Sequence, residues 1–318
     1  MRFSPLVFLL GGVLSGSLQA SEASDWLQRM GAAGTQLSFG GTYIYERSGN
    51  FSTHRIWHRA QPPNSSSERL LQLDGQAQEI LLSDGQVSCA SRNLVENHAG
   101  VAHLDGSQLD ISRVEQVYQL KLLGNSRVAG RSSVVLLLLP RDADRYAREL
   151  HLDRKTGLLL KSLLLNSQGQ LLERLQFTSL SPNLNIADKD LQPVTECIAP
   201  VVAASSTAQQ AAWQVGWMPV GFVLLGSLER QTAASTAAVQ SLMFDDGLAR
   251  FSIFLEALDD AVVGNAHVQL GPTVVVSRPI NTARGMFMVT VVGEIPLATA
   301  ERVVMSVTSK DIQGAPHD

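Results

Sequence analysis

Two histidines four residues apart, His54 and His58, stand in the alternating segment FSTHRIWHR. In a strand this spacing puts both rings on one face but roughly 13 Å apart, too far to share a metal ion. They read as exposed strand histidines. Carboxylates pair as Asp245-Asp246 and Asp259-Asp260. The first pair runs into Gly247 and reads as a turn whose acids point to different sides and stay solvated. Asp142 and Asp144 alternate with Arg141 and Arg145, a pattern that reads as a surface loop of mixed charge. No serine stands at a recognisable spacing from a histidine and an acid. Nucleophile-elbow, zincin, phosphate-loop and dinucleotide-binding motifs are missing. The chain is therefore expected to bind rather than to catalyse, with no catalytic set, no cofactor and no metal. Cys89 and Cys197 are the two cysteines. In an oxidising compartment such a pair is more often bridged than free, but the sequence leaves the bridge open.

The compartment is read from the start of the chain. Met1 and Arg2 form a short basic head, Phe3 to Leu14 is apolar, and small polar residues lead to Ala20. The apolar run is shorter than the roughly 20 residues a spanning helix needs, so residues 1–20 read as a signal peptide cut after Ala20. The protein is thus expected in the periplasm. The formal charge of −4 gives no electrostatic case for nucleic acid.

The elements that must carry a binding surface are mostly strands. A short helix capped by Ser24 places Trp26, Leu27 and Met30 on one face. Leu37, Phe39, Tyr43 and Tyr45 then alternate on one side of a strand. Asp74-Gly75 and Asp84-Gly85 end the next segments, the strongest short hairpin signal. Residues 108–116 read as a short helix, and strands joined by short turns continue to Ser179. The expected architecture is a large antiparallel sheet with few helices. Val134 to Leu139 and Leu158 to Leu165 are apolar on both faces, so both faces need cover. A sandwich core explains this, and so does a curved sheet with helices on one side and a groove for an acyl chain. Residues 182–212, with Pro182, Pro193, Pro200 and the run AASSTAQQAA, have linker composition. Domains are accordingly expected over 21–181 and 213–318. The second holds strands and a final helix striped by Leu297, Ala300, Val304 and Val307.

Longer strings carry a resemblance. SDWLQRM, TYIYERSGNFSTHRIWHR, RLLQLDG, SRVAGR and ELHLDRKTGLLLKSLLLNSQGQLLERLQFT lie in the first part. Trp213, Trp217-Met218-Pro219, DGLARFSIFLE, GPTVVVSR and VTVVGEIPLATAERV lie in the second. Together they resemble the MucB/RseB family of periplasmic sigma-factor regulators. The resemblance implies a mainly β, α+β fold, with an N-terminal half-barrel of the LolA/LppX type and a smaller C-terminal α+β domain. It also implies a partner, the periplasmic segment of a MucA/RseA-type transmembrane anti-sigma factor, which is shielded from regulated proteolysis until lipid or lipopolysaccharide releases it. A homodimer is compatible with it. The alternative is a periplasmic lipid or lipoprotein carrier, for which the second domain has no evident use. For a lipid groove the candidate residues are Phe39, Tyr43, Tyr45, Trp57, Leu164 and Phe177, since aromatics give apolar area with a polar rim. For the partner they are Trp217, Arg250, Phe251 and Phe254, since arginine and aromatic side chains dominate binding hot spots.

Overall fold

The computed structural model describes residues 15–61, 65–91, 109–199, 213–231, 238–258, 264–283 and 285–310. Asp259-Asp260 and the run AASSTAQQAA lie outside these residues. Among them the chain is mainly β with three α-helices, and its strands form a ten-stranded sheet, a six-stranded sheet and a two-stranded pair.

Helix α1 spans Ser15–Gln36 and so runs through Ala20. Ser24 is inside this helix rather than at its cap, because residues 15–23 extend it. The Ser24 hydroxyl instead bonds the carboxylate of Glu115. Trp26, Leu27 and Met30 do share the buried face. The short helix expected near residue 110 is α2, Ile111–Val117, whose Asp110 cap accepts the Arg113 N–H at 3.2 Å.

The large sheet comprises β1 (Phe39–Arg47), β2 (Asn50–Gln61), β3 (Ser65–Gln72), β4 (Glu79–Ser83), β5 (Gln86–Ala90), β6 (Tyr118–Val128), β7 (Arg131–Pro140), β8 (Ala147–Asp153), β9 (Leu159–Leu165) and β10 (Leu171–Pro182). Its order is β5-β4-β3-β2-β1-β10-β9-β8-β7-β6, antiparallel throughout, with β5 and β6 as its end strands. Ser48-Gly49, Asp84-Gly85 and Ala129-Gly130 make two-residue turns with both residues at positive φ, which matches strand twist and fixes hairpin register. The sheet curves around α1. Val128 of β6 and Ile80 of β4, far apart in strand order, belong to one core with Ala33 of α1. Trp26 and Leu27 of α1 pack with Leu136, Leu138 and Leu150 farther along the same face. The doubly apolar strands thus serve a curved sheet filled by a helix. The outer side chains Leu137 and Leu163 are only half-buried.

The polar segment after β10 is not free linker up to Ala199. It crosses the outer face of β2 to β5 as a strap. Asp188 pairs with Arg59 at 2.6 Å, and the Asp190 carbonyl accepts from Arg69. Glu79, wholly buried, accepts the Val194 and Thr195 N–H groups, the Thr195 hydroxyl and the Arg69 guanidinium. Ile198 bridges Ala90, and a Cys89–Cys197 disulfide with Cα atoms 5.5 Å apart closes the strap.

The six-stranded sheet comprises β12 (Val223–Gln231), β13 (Ala238–Asp245), β14 (Arg250–Ala257), β15 (Ala266–Leu270), β16 (Thr273–Thr282) and β17 (Gly285–Gly293), in the order β12-β13-β14-β17-β16-β15. Helix α3 (Leu297–Ser306) covers one face through Ala300, Val303 and Val304. Strand β11 (Trp213–Val215) pairs with β18 (Val307–Ser309) beside it.

The strap has a pH signature. Burial raises the Glu79 pKa, but the Thr195 and Arg69 hydrogen bonds outweigh it and hold the carboxyl below its ordinary value of 4.5. A carboxylate with a depressed folded pKa contributes stability above its unfolded pKa and loses it as pH falls through the folded value. Glu79→Gln should therefore melt below wild type at pH 7, and the two melting curves should converge below about pH 4. Thermal unfolding followed by circular dichroism across pH checks this.

Candidate functional site

Strand register arranges the inner face of the large sheet in rows. The deepest aromatic row holds Tyr43, paired with Phe177 on one side and His54 on the other. The next holds Tyr45, Leu175, Ser162, Leu150 and Leu136. The row at the mouth reads Arg47, Glu173, Leu164, Arg148, Leu138 and Leu120. An apolar interior is thus rimmed by two arginines and a glutamate.

Five of the six groove candidates share this face. Phe39, Tyr43 and Phe177 are buried and occupied in packing: Phe39 stacks on His58 at 4.7 Å, and Tyr43 lies 5.1 Å from His54 and 5.5 Å from Phe177. Tyr45 is half-buried and donates its hydroxyl to Glu173 at 2.6 Å. Desolvation, with Glu173 beside it, pushes the Tyr45 phenol far above its ordinary range. Leu164 sits on the rim. Trp57 is the exception. It lies one residue from Ile56 and His58, so period-two alternation sends it to the outer face, between Arg55 at 4.7 Å and Arg69 at 4.8 Å. It does not line the groove. The histidine reading also changes: both rings face inward, and His58 is wholly buried, 3.0 Å from Glu68.

The partner candidates divide by the same alternation. Arg250 is exposed and Phe254 half-buried, both on the side of β14 away from α3. Phe251 points the other way and is 1% exposed, packed on Phe222 and Phe244 at 5.0 and 5.3 Å. It is a core residue, because β14 is central in its sheet and residues 251, 253 and 255 all face α3. Trp217 is half-buried beneath the Arg302 guanidinium, 3.9 Å from the ring.

The two sheets meet through groups that sequence reasoning set aside as surface charges. Arg145 and Asp246 are both buried and pair at 2.7 Å. Arg145 also donates to Asp142 and to the Val220 carbonyl. Asp246 accepts the Leu248 and Ala249 N–H groups and lies 3.4 Å from the Tyr118 hydroxyl. Burial pushes the Asp246 pKa up, while the two N–H groups and Arg145 pull against it. The expected solvated turn and mixed-charge loop are therefore the two halves of a dry contact. Around it, Arg113 donates to the Asp245 carbonyl, the Tyr146 hydroxyl to the Ile295 carbonyl, and the Thr299 hydroxyl to Asp144. Burial pushes the Tyr146 phenol up to about 12. At the mouth, Arg47 bonds Thr273 and pairs with Glu294 at 3.1 Å. Glu294, Leu248 and Ala249 close over Tyr118, Tyr146, Arg148 and Leu164, leaving a cavity of about 10 Å³. That is room for about one water.

This two-sheet arrangement is matched among known proteins. Sequence models of the MucB/RseB N-terminal and C-terminal domains match residues 22–195 and 207–308. The chain belongs to the MucB/RseB family. The sigma factor AlgU regulatory protein MucB of Pseudomonas aeruginosa is 49% identical over 308 residues, covering 96% of this chain and 98% of that one. The sigma-E factor regulatory protein RseB of Escherichia coli K12 is 24% identical over 93% of each chain. Among solved structures, the Pseudomonas aeruginosa MucA/MucB complex superposes with a TM-score of 0.79 at 49% identity, covering 91% of this chain and 99% of that one. A crystal structure of MucB gives 0.71 at 48% identity, with 91% and 98% covered. These MucB/RseB relatives are named as regulatory proteins.

Removing one partner of a buried ion pair leaves the other charge uncompensated, at a cost of about 3–5 kcal/mol. Asp246→Ala should show a loss of this size in urea denaturation and become newly sensitive to limited proteolysis between the two sheets.

Proposed function

We propose that this chain is a periplasmic regulator that binds the periplasmic part of a MucA-type anti-sigma factor, protects it from regulated proteolysis, and thereby restrains an extracytoplasmic-function sigma factor. The observation that carries the reading is near-full-length similarity, at 49–50% identity, to a protein solved as MucB in complex with MucA(peri). Residues 1–20 act as an export signal cut after Ala20. Residues 21–181 form the lipid-sensing domain, and 213–318 form the anti-sigma-binding domain. The apolar inner face of the first sheet with its charged rim supports lipid as the releasing signal. The exposed side of β14, with Arg250 and Phe254, supports partner docking. A plain lipid carrier needs only the first sheet, whereas here a second sheet is fastened across its mouth by a buried ion pair.

Two measurements test this reading. Arg250→Glu should weaken binding of the purified anti-sigma segment about tenfold with an unchanged melting transition, by calorimetric titration. Unchanged affinity would remove β14 from the interface. Lipid and anti-sigma segment should also weaken each other by the same factor, since linkage is reciprocal. Titrating the segment with and without lipid checks this, and an affinity indifferent to lipid would sink the release mechanism.

A further inference from the structure

The rim row of the large sheet is electrically balanced only because the second sheet contributes to it. Arg47 and Arg148 are its cations and Glu173 its own carboxylate, already bonded by Tyr45. Glu294 supplies the second carboxylate. It pairs with Arg47 at 3.1 Å; burial, and then Glu173, push its pKa up, while Arg148 and Arg47 pull against that rise. Among the described residues the Arg148 guanidinium makes a long 3.5 Å contact to the Ser162 hydroxyl, and it lines the residual cavity with Leu164, Leu248, Ala249 and Glu294. Next to the carboxylate, Leu248 and Ala249 cover the apolar side of the same mouth. Below the rim the inner face is largely apolar through Leu175, Leu150, Leu136 and Phe177, with Ser162 between Leu175 and Leu150.

We infer that Leu248, Ala249 and Glu294 form a built-in pseudo-ligand: they occupy the mouth where a lipid with an anionic headgroup binds, Glu294 standing for the headgroup and Leu248 for the first carbons of the chain. This rests on the lipid half of the function proposed above and adds where the lipid enters and what it displaces. Without the second sheet, the rim carries Arg47 and Arg148 against Glu173 alone, one positive charge in excess at the lip of an apolar bowl that α1 packs into. An anionic amphiphile matches both features, whereas an uncharged one matches only the bowl and inorganic phosphate only the rim. Lipid and docked second sheet are then mutually exclusive at one place. The affinity of lipid for the protein is reduced by the fraction of molecules whose mouth is plugged.

The test uses full-length mature protein and calorimetric titration with dodecyl phosphate, dodecanol and inorganic phosphate. Glu294→Gln, which removes the competing charge, and Leu248→Ala, which trims the apolar tip, should each bind dodecyl phosphate about tenfold more tightly than wild type. Adding Arg148→Gln to either should abolish the gain. Glu294→Gln should leave dodecanol affinity within about twofold of its wild-type value, because no headgroup charge is involved. Inorganic phosphate at the same concentration should not compete. Melting curves report folding, and if Glu294→Gln fails to fold, Leu248→Ala carries the test. Wild-type affinity for dodecyl phosphate in the folded variants would overturn the pseudo-ligand while leaving lipid sensing intact. Full competition by inorganic phosphate would also overturn it, in favour of a simple anion site. Failure of every form to bind either amphiphile would overturn both the pseudo-ligand and the lipid reading.

Discussion

A dry ion pair between Arg145 and Asp246 holds the two sheets in one arrangement. Both groups are shielded from water, so neither is tolerable alone, and each is supplied by a different sheet. The pair is strengthened by being finished on both sides. Asp142 and the Val220 carbonyl accept three further Arg145 N–H bonds, while two backbone N–H groups complete Asp246. The geometry of such a contact is demanding, because a charge pulled from its partner in a low-dielectric site has no solvent to replace it. Such a pair is favourable engaged or fully hydrated and costly in between, which gives it the energetics of a latch. The neighbouring contacts of Arg47, Arg113, Tyr146 and Thr299 depend on the position it sets.

That latch places the β13–β14 turn at the mouth of the curved sheet. The same five residues, 245–249, thus neutralise Arg145, cap the apolar interior and lead into the strand that presents Arg250. The proposed partner surface and the proposed lipid mouth are linked through one short turn, with no need for a long chain of intermediates. A ligand that dislodges the turn from the mouth changes the setting of β14 directly. This is a physical route by which occupancy of one surface is felt at another.

Much of the fold was legible in local pattern. Glycine turns marked the hairpins, and doubly apolar strands announced a covered sheet. The stripe on α3 was readable from Leu297 to Val304, while Val307, expected on the same helix, begins β18. What escaped was whatever depended on partners distant in sequence. Arg145 and Asp246 are 101 residues apart, and each looks like an ordinary surface charge beside its own neighbours. Trp57 and Phe251 failed for a subtler reason. Alternation tells which residues share a face, but not which face meets the core, so an aromatic one position out of phase lands on the wrong side. The strap after β10 was hidden because its stability comes from the side chains of Arg69 and Glu79, while its own sequence is polar and proline-bearing. The edge strand β15 is exposed along its whole length and β12 is mostly exposed over residues 223–226, so neither leaves a clear period there.

The disulfide has an effect far from where it sits. Fixing Cys197 to Cys89 leaves 16 peptide steps to Trp213, a leash that can reach at most about 55 Å. Were the strap to come away back to Pro182, the leash would have 31 steps and reach about 110 Å. The second sheet would then be diluted into a much larger volume around the mouth it must find, and its effective concentration there would fall. A bond on the outer face of β5 would thus set how readily the two halves met again if they parted, though it touches neither surface that meets.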